Sequence, residues 1–156
     1  MSTLAKDFAA VFDRELGLLE EEIAAYRDDA DLWTTIGAQK NAPATLAIHV
    51  VGGLNAMVGA SLGNTGYIRD RDLEFSRRGV SRDDVIQMIR YCRDTIVPII
   101  AGLDDDSLAG IHPGPVPPAL KGITTQRFLM HLLWHVGWHR GHIYYHRLGI
   151  EAPPTT

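Results

Sequence analysis

His131, His135, His139, His142 and His146 all lie in "HLLWHVGWHRGHIYYHRLG", residues 131–149, and only His49 and His112 lie elsewhere. An α-helix turns about 100° per residue, so a helical segment would set all five within about 80° of one another on one face. His135 and His139 form an H-x3-H pair stacked one turn apart. Two imidazoles at that spacing can reach a single metal ion. A catalytic metal site takes about three protein ligands and keeps a further position open, so a third ligand is expected from another helix. Of the two remaining histidines, His112 falls in a Pro-rich connector. His49 falls on the apolar side of a helical segment and is the better candidate, because the core of a helical bundle brings facing helices together.

Plainer readings compete at each position. A lone buried histidine is usually a hydrogen-bonded core residue. A histidine near a helix C-terminus complements the helix dipole, and that is the reading of His146. His131 and His142 are read as groups beside the metal, holding a ligand or a water or moving a proton, rather than as ligands. Cys92 lies on an apolar stripe and is read as core, not nucleophile. The chain has no phosphate-binding P-loop and no H-E-x-x-H motif.

Four amphipathic stretches are available to position these groups. Leu4, Phe8, Val11, Phe12, Leu16, Leu19, Ile23 and Tyr26 recur at helical spacing and predict a helix over 3–27, which "RDDADLW" breaks. A second helix is predicted over 42–62, capped by Asn41 or Ala42 with Pro43 at its first position. Gly52, Gly53 and Gly59 weaken it, which calls for close packing or open space beside it. A third helix is predicted over 81–102, opened by Ser81 with Asp84 at the capping-box spacing. The fourth, over 124–148, starts at Thr124 and ends at Gly149. Residues 64–80 read as a long polar loop, "DDDSLAGIHPGPVPPALKG" as a stiff connector, and "IEAPPTT" as a frayed tail. No strand pattern emerges, so the fold class is all-α, a bundle of four helices.

The bulk composition agrees. A chain of 156 residues with 46% apolar and 22% charged residues suits one domain, taken as residues 1–150 with a tail over 151–156. A net charge of −4 with mixed signs argues against nucleic acid as a partner. One cysteine, no signal-peptide pattern and no apolar run approaching the length of a membrane span suggest a cytoplasmic protein with no membrane partner. Apolar residues spread around the fourth helix suggest a second contact, and hence a homodimer.

Three segments in order, "HVVGGLNAMVGASLG", "YIRDRDLEF" and "HLLWHVGWHRGHI", resemble the DinB/YfiT-like superfamily of metalloenzymes. The likeness runs from "DLW" to Gly149. Its most specific part is one histidine in the second helix plus H-x3-H-R-G in the fourth. The resemblance implies an up-down-down-up four-helix bundle with a long crossover between helices 2 and 3. It also implies that His49, His135 and His139 bind a divalent metal. The family motif commonly continues H-R-G-Q; here His142 replaces the glutamine, which alters the pocket's polarity or adds a ligand. No role follows for Arg69, Asp70, Arg71 or Glu74.

Three functions are compatible with these features. The first is a metal-dependent, thiol-using S-transferase or isomerase, since some members of the superfamily use bacillithiol, mycothiol or glutathione. Gly52, Gly53 and Ala56 would then leave room for a small-molecule substrate beside His49. The second is a metal-dependent hydrolase, with His131 or His142 as its base. The third is a non-catalytic metal-binding bundle with a fourth histidine closing the site. Zinc and nickel lead as the metal because imidazole ligands suit such ions, with iron and manganese as further candidates.

Overall fold

Ser2 starts the first helix by accepting the Ala5 amide on its hydroxyl, 3.3 Å away. The structure, a computed structural model, describes residues 2–151. Helix α1 (Thr3–Ala24) buries the predicted stripe, including Phe8, Phe12, Leu16, Leu19 and Ile23. A 3-10 turn, Asp29–Trp33, follows where "RDDADLW" breaks the periodicity.

Helix α2 (Pro43–Gly63) starts from Ala42 with Pro43 in its first turn. Its first twelve residues are all buried. This corrects one expectation: α2 is long and apolar enough to cross a membrane by length and composition, but most of it is buried inside the protein. Between Asn55 and Ala60 it widens into a π-helix, and Ser61 Oγ donates to Ala56 O at 3.0 Å. Such widened turns often sit beside functional sites.

The segment 64–80 is not all loop. Asp70 caps a short helix, α3 (Arg71–Ser76), through the Leu73 amide, and α3 packs on α2. Helix α4 (Arg82–Ala101) is capped by Ser81, whose Oγ accepts the Asp84 amide as expected. The connector holds a further turn, α5 (Asp105–Ala109), and its two ends are pinned by a bridge between Ile111 and Thr124. Helix α6 (Thr125–Glu151) runs past Gly149, so that glycine does not end it. The frayed tail expected from residue 150 is helical through Glu151; the rest lies outside the described residues.

The fold is all-helical, with no named strand among the described residues. Helices α1 and α2 each pack against both α4 and α6. Ser2 N donates to Leu103 O near the start of α1, and Arg82 reaches Tyr26 O near its end, so α1 and α4 run in opposite senses. Glu15 pairs with Arg140 and Glu22 with Arg147, so α1 and α6 run in the same sense. Gly59 lies against Thr95, and Gly63 against Ile99. These contacts align α2 with α4.

Candidate metal centre

His49 projects from α2 toward α6, where His135 and His139 meet it one turn apart. His49 Nε2 lies 3.3 Å from His135 Nε2, and His139 Nε2 lies 3.1 Å from the same atom. One ligand nitrogen from each of the three falls within 4.8 Å of the others. The group can therefore hold a metal ion. Two imidazole nitrogens about 2.0–2.1 Å from one tetrahedral ion are separated by about 3.3–3.4 Å, and the two separations to His135 Nε2 are close to that.

The tautomer also suits a ligand. His49 Nδ1 lies 3.0 Å from Glu74 Oε2, and a carboxylate can only accept, so Nδ1 carries the proton. The Nε2 lone pair is thereby turned toward His135 and His139. Glu74 is in turn gripped by Arg69, with Nε 2.7 Å from Oε1 and Nη2 2.9 Å from Oε2. Burial pushes the Glu74 carboxyl up, but hydrogen bonds from His49 and Arg69 outweigh it and hold the group below its ordinary range. Outer partners of this kind orient a metal-binding imidazole and raise its basicity. Phe75 packs against the His49 ring at 4.8 Å between centres.

Burial, reinforced by the neighbouring imidazoles, holds His135 down to about 3 and His139 down to about 4. Both are therefore neutral near pH 7, the form that ligates. Lone pairs facing one another at these distances repel unless a proton or a cation lies among them. The two short separations and the His49 tautomer fit a bound cation. His139 Nδ1 is buried without a hydrogen-bond partner, so Glu74's service to His49 has no counterpart there.

The other histidines separate from this group. His131 lines a cavity of about 550 Å3 together with His49 and His135, and its ring centre is 6.5 Å from that of His135. His142 is exposed, packs edge-on against Trp138 at 4.8 Å, and lies 6.2 Å from His139 between ring centres. It lines a second cavity of about 270 Å3 with His139 and Lys40. His112 is buried in the connector against Phe128, with both ring nitrogens unpartnered.

His146 requires a correction. It is a buried core histidine rather than a charge at the helix end. Its Nε2 donates to Thr34 O at 3.1 Å, and its Nδ1 lies 2.9 Å from the Tyr26 hydroxyl. Burial lowers its pKa, which opposes the charged form a dipole interaction needs.

Gly52 also differs from expectation. A Cβ there would lie 2.1 Å from Glu74 Oε1, so the space it leaves belongs to Glu74 rather than to substrate. Gly53 and Ala56 do line the cavity of about 550 Å3 beside His49 and His135. Glu74 is the residue the spacing arguments missed. The signal was the glycine pair in a core helix, which implied that something approaches it closely. Compared with models of known protein families and with curated proteins, the chain finds no match.

Proposed function

We propose that this chain is a divalent-metal-dependent enzyme acting on a small molecule, with His49, His135 and His139 as the ligands. The convergence of one ring nitrogen from each of the three carries the reading. The cavity beside His49 and His135 leaves an approach for a substrate. His131 and His142 are not in the ligand group, which favours an open site over a closed, non-catalytic one. The contacts of α1, α2, α4 and α6 support an up-down-down-up four-helix bundle, with residues 64–80 as the crossover.

Within this reading, thiol-dependent S-transfer or isomerisation of the DinB-like kind comes first. A divalent ion there would supply Lewis acidity, favouring the thiolate of a coordinating thiol. The chain's own thiol is unsuited: Cys92 is buried and burial pushes it up to about 12. The thiol must then arrive as a co-substrate. Both Glu74 oxygens are committed to His49 and Arg69, so Glu74 fixes the ligand ring rather than moving a proton. Hydrolysis is the second reading, favoured by His131 on the cavity wall, where its imidazole can take a proton.

The test is elemental analysis of untagged protein, then a screen of low-molecular-weight thiols with electrophilic acceptors. About one equivalent of zinc or nickel and metal-dependent thiol consumption are expected. Less than about a tenth of an equivalent under metal-replete conditions would remove the metal reading. Full metal with hydrolysis and no thiol transfer would promote the second.

A further inference from the structure

The cavity in front of His49 and His135 is lopsided in charge. Leu54, Met57 and Leu132 contribute apolar walls, and Pro115–Pro118 of the connector close over it. Among the described residues that line it there is no aspartate or glutamate, while Arg69 and Arg71 both line it. These arginines differ. Arg69 is neutralised by its two-pronged grip on Glu74. Arg71 makes no ion pair among the described residues and rests over Phe75, its guanidinium carbon 5.0 Å from the ring centre. Phe75 packs at 4.8 Å on His49, so two ring-contact steps separate the free cation from the candidate metal ligands.

We propose that this cavity takes a small organic carboxylate with an apolar body. The carboxylate pairs with Arg71, whose planar fork matches its two oxygens. The body packs between Met57, Leu132 and the proline-rich cover, and the far end of the molecule reaches the His49–His135 edge. The inference rests on the metal-dependent reading above for which end reacts. The charge argument rests on Arg71 and the cavity alone.

The test uses two probes with the same body, 4-phenylbutyrate and the neutral 4-phenylbutanamide, titrated calorimetrically into metal-free protein. The wild type should prefer the carboxylate by about fivefold to tenfold, the scale of a partly exposed charge-assisted pair. Arg71→Gln should erase the preference while leaving amide affinity unchanged, and Arg71→Lys should restore part of it. The same titrations on His139→Ala, whose altered residue does not line this cavity, should keep the preference. A separate cobalt(II) titration without probe reports on the histidines, so a missing metal site and a missing anion site give different results. Equal affinity for the two probes in the wild type, no binding of either up to millimolar concentration, or an unchanged preference in Arg71→Gln overturns the proposal.

Discussion

Replacing Gly52 with alanine should weaken metal binding without touching a ligand. The added Cβ would lie 2.1 Å from Glu74 Oε1 and 2.7 Å from its Cδ. Carbon atoms pack at about 3.5–4.0 Å, so one partner must move by about 1 Å or more. Gly52 belongs to the stretch of α2 in which every residue is buried, whereas the carboxylate is the far end of a side chain, so Glu74 moves. Its 3.0 Å hydrogen bond to His49 Nδ1 is then lost, and with it the fixed tautomer. Losing such a partner typically costs about 10- to 100-fold in metal affinity, or about 1.4–2.7 kcal/mol. The alanine favours the helix by up to about 1 kcal/mol, so metal-free stability should change less than affinity does.

A competition titration of cobalt(II) against a chromophoric chelator at neutral pH measures the effect. Gly53→Ala is the control, because a Cβ there meets Arg69 Nη2 at 3.5 Å, an ordinary contact. Glu74→Gln added to Gly52→Ala should cost little more, since both remove the same interaction. If Gly52→Ala binds cobalt as tightly as Gly53→Ala, Glu74 does not tune His49 and the reasoning fails.

His49→Ala, His135→Ala and His139→Ala should each reduce bound metal below about a tenth of an equivalent by elemental analysis, while His112→Ala and His146→Ala keep it. His146→Ala should instead lower the denaturation midpoint, since it removes buried hydrogen bonds to Thr34 and Tyr26; an unchanged midpoint would contradict its core role. Metal-free protein should lose stability as pH falls from 6.5 toward 4, because unfolded imidazoles take up protons that His135 and His139 refuse down to about 3 and 4. Each contributes a slope of about 1.4 kcal/mol per pH unit, so denaturant midpoints equal at pH 7 and pH 5 would rule this out. We also propose a homodimer through the outer face of α6, where Trp134 and Trp138 are 57% and 54% exposed; a monomeric mass by light scattering at micromolar concentration would count against it.

What could be read in advance followed the range of each physical signal. The helical stripes are local patterns, so α1, α2, α4 and α6 emerged within a few residues of their observed ends. His135 and His139 share one helix, and their meeting follows from its pitch. His49 required only that a core helix face another. His146 failed because its environment comes from Tyr26 and Thr34, more than a hundred residues away, and no local spacing carries that information. The π-helix at Asn55–Ala60 likewise depends on packing that periodicity does not encode.

Glu74 shows why residues 64–80 were the hardest part to read. A six-residue helix has no stability of its own, because nucleation is costly and few bonds repay it. Helix α3 is held by what its side chains reach: Glu74 on His49 and Arg69, and Phe75 on the His49 ring. Its order and the geometry of the histidine cluster are therefore one equilibrium. A ligand that fixes His49 should also favour α3, and whatever dislodges α3 should loosen His49. Arg71 and Phe75 ride on the same short helix at the mouth of the cavity, so an occupant pairing with Arg71 would act on that equilibrium from the other end. The polarity that makes residues 64–80 look like a solvated loop thus hides two charges that order the site: Glu74 and Arg69 are directed inward, onto His49, while Asp70, Arg71, Asp72, Arg77 and Arg78 stay exposed.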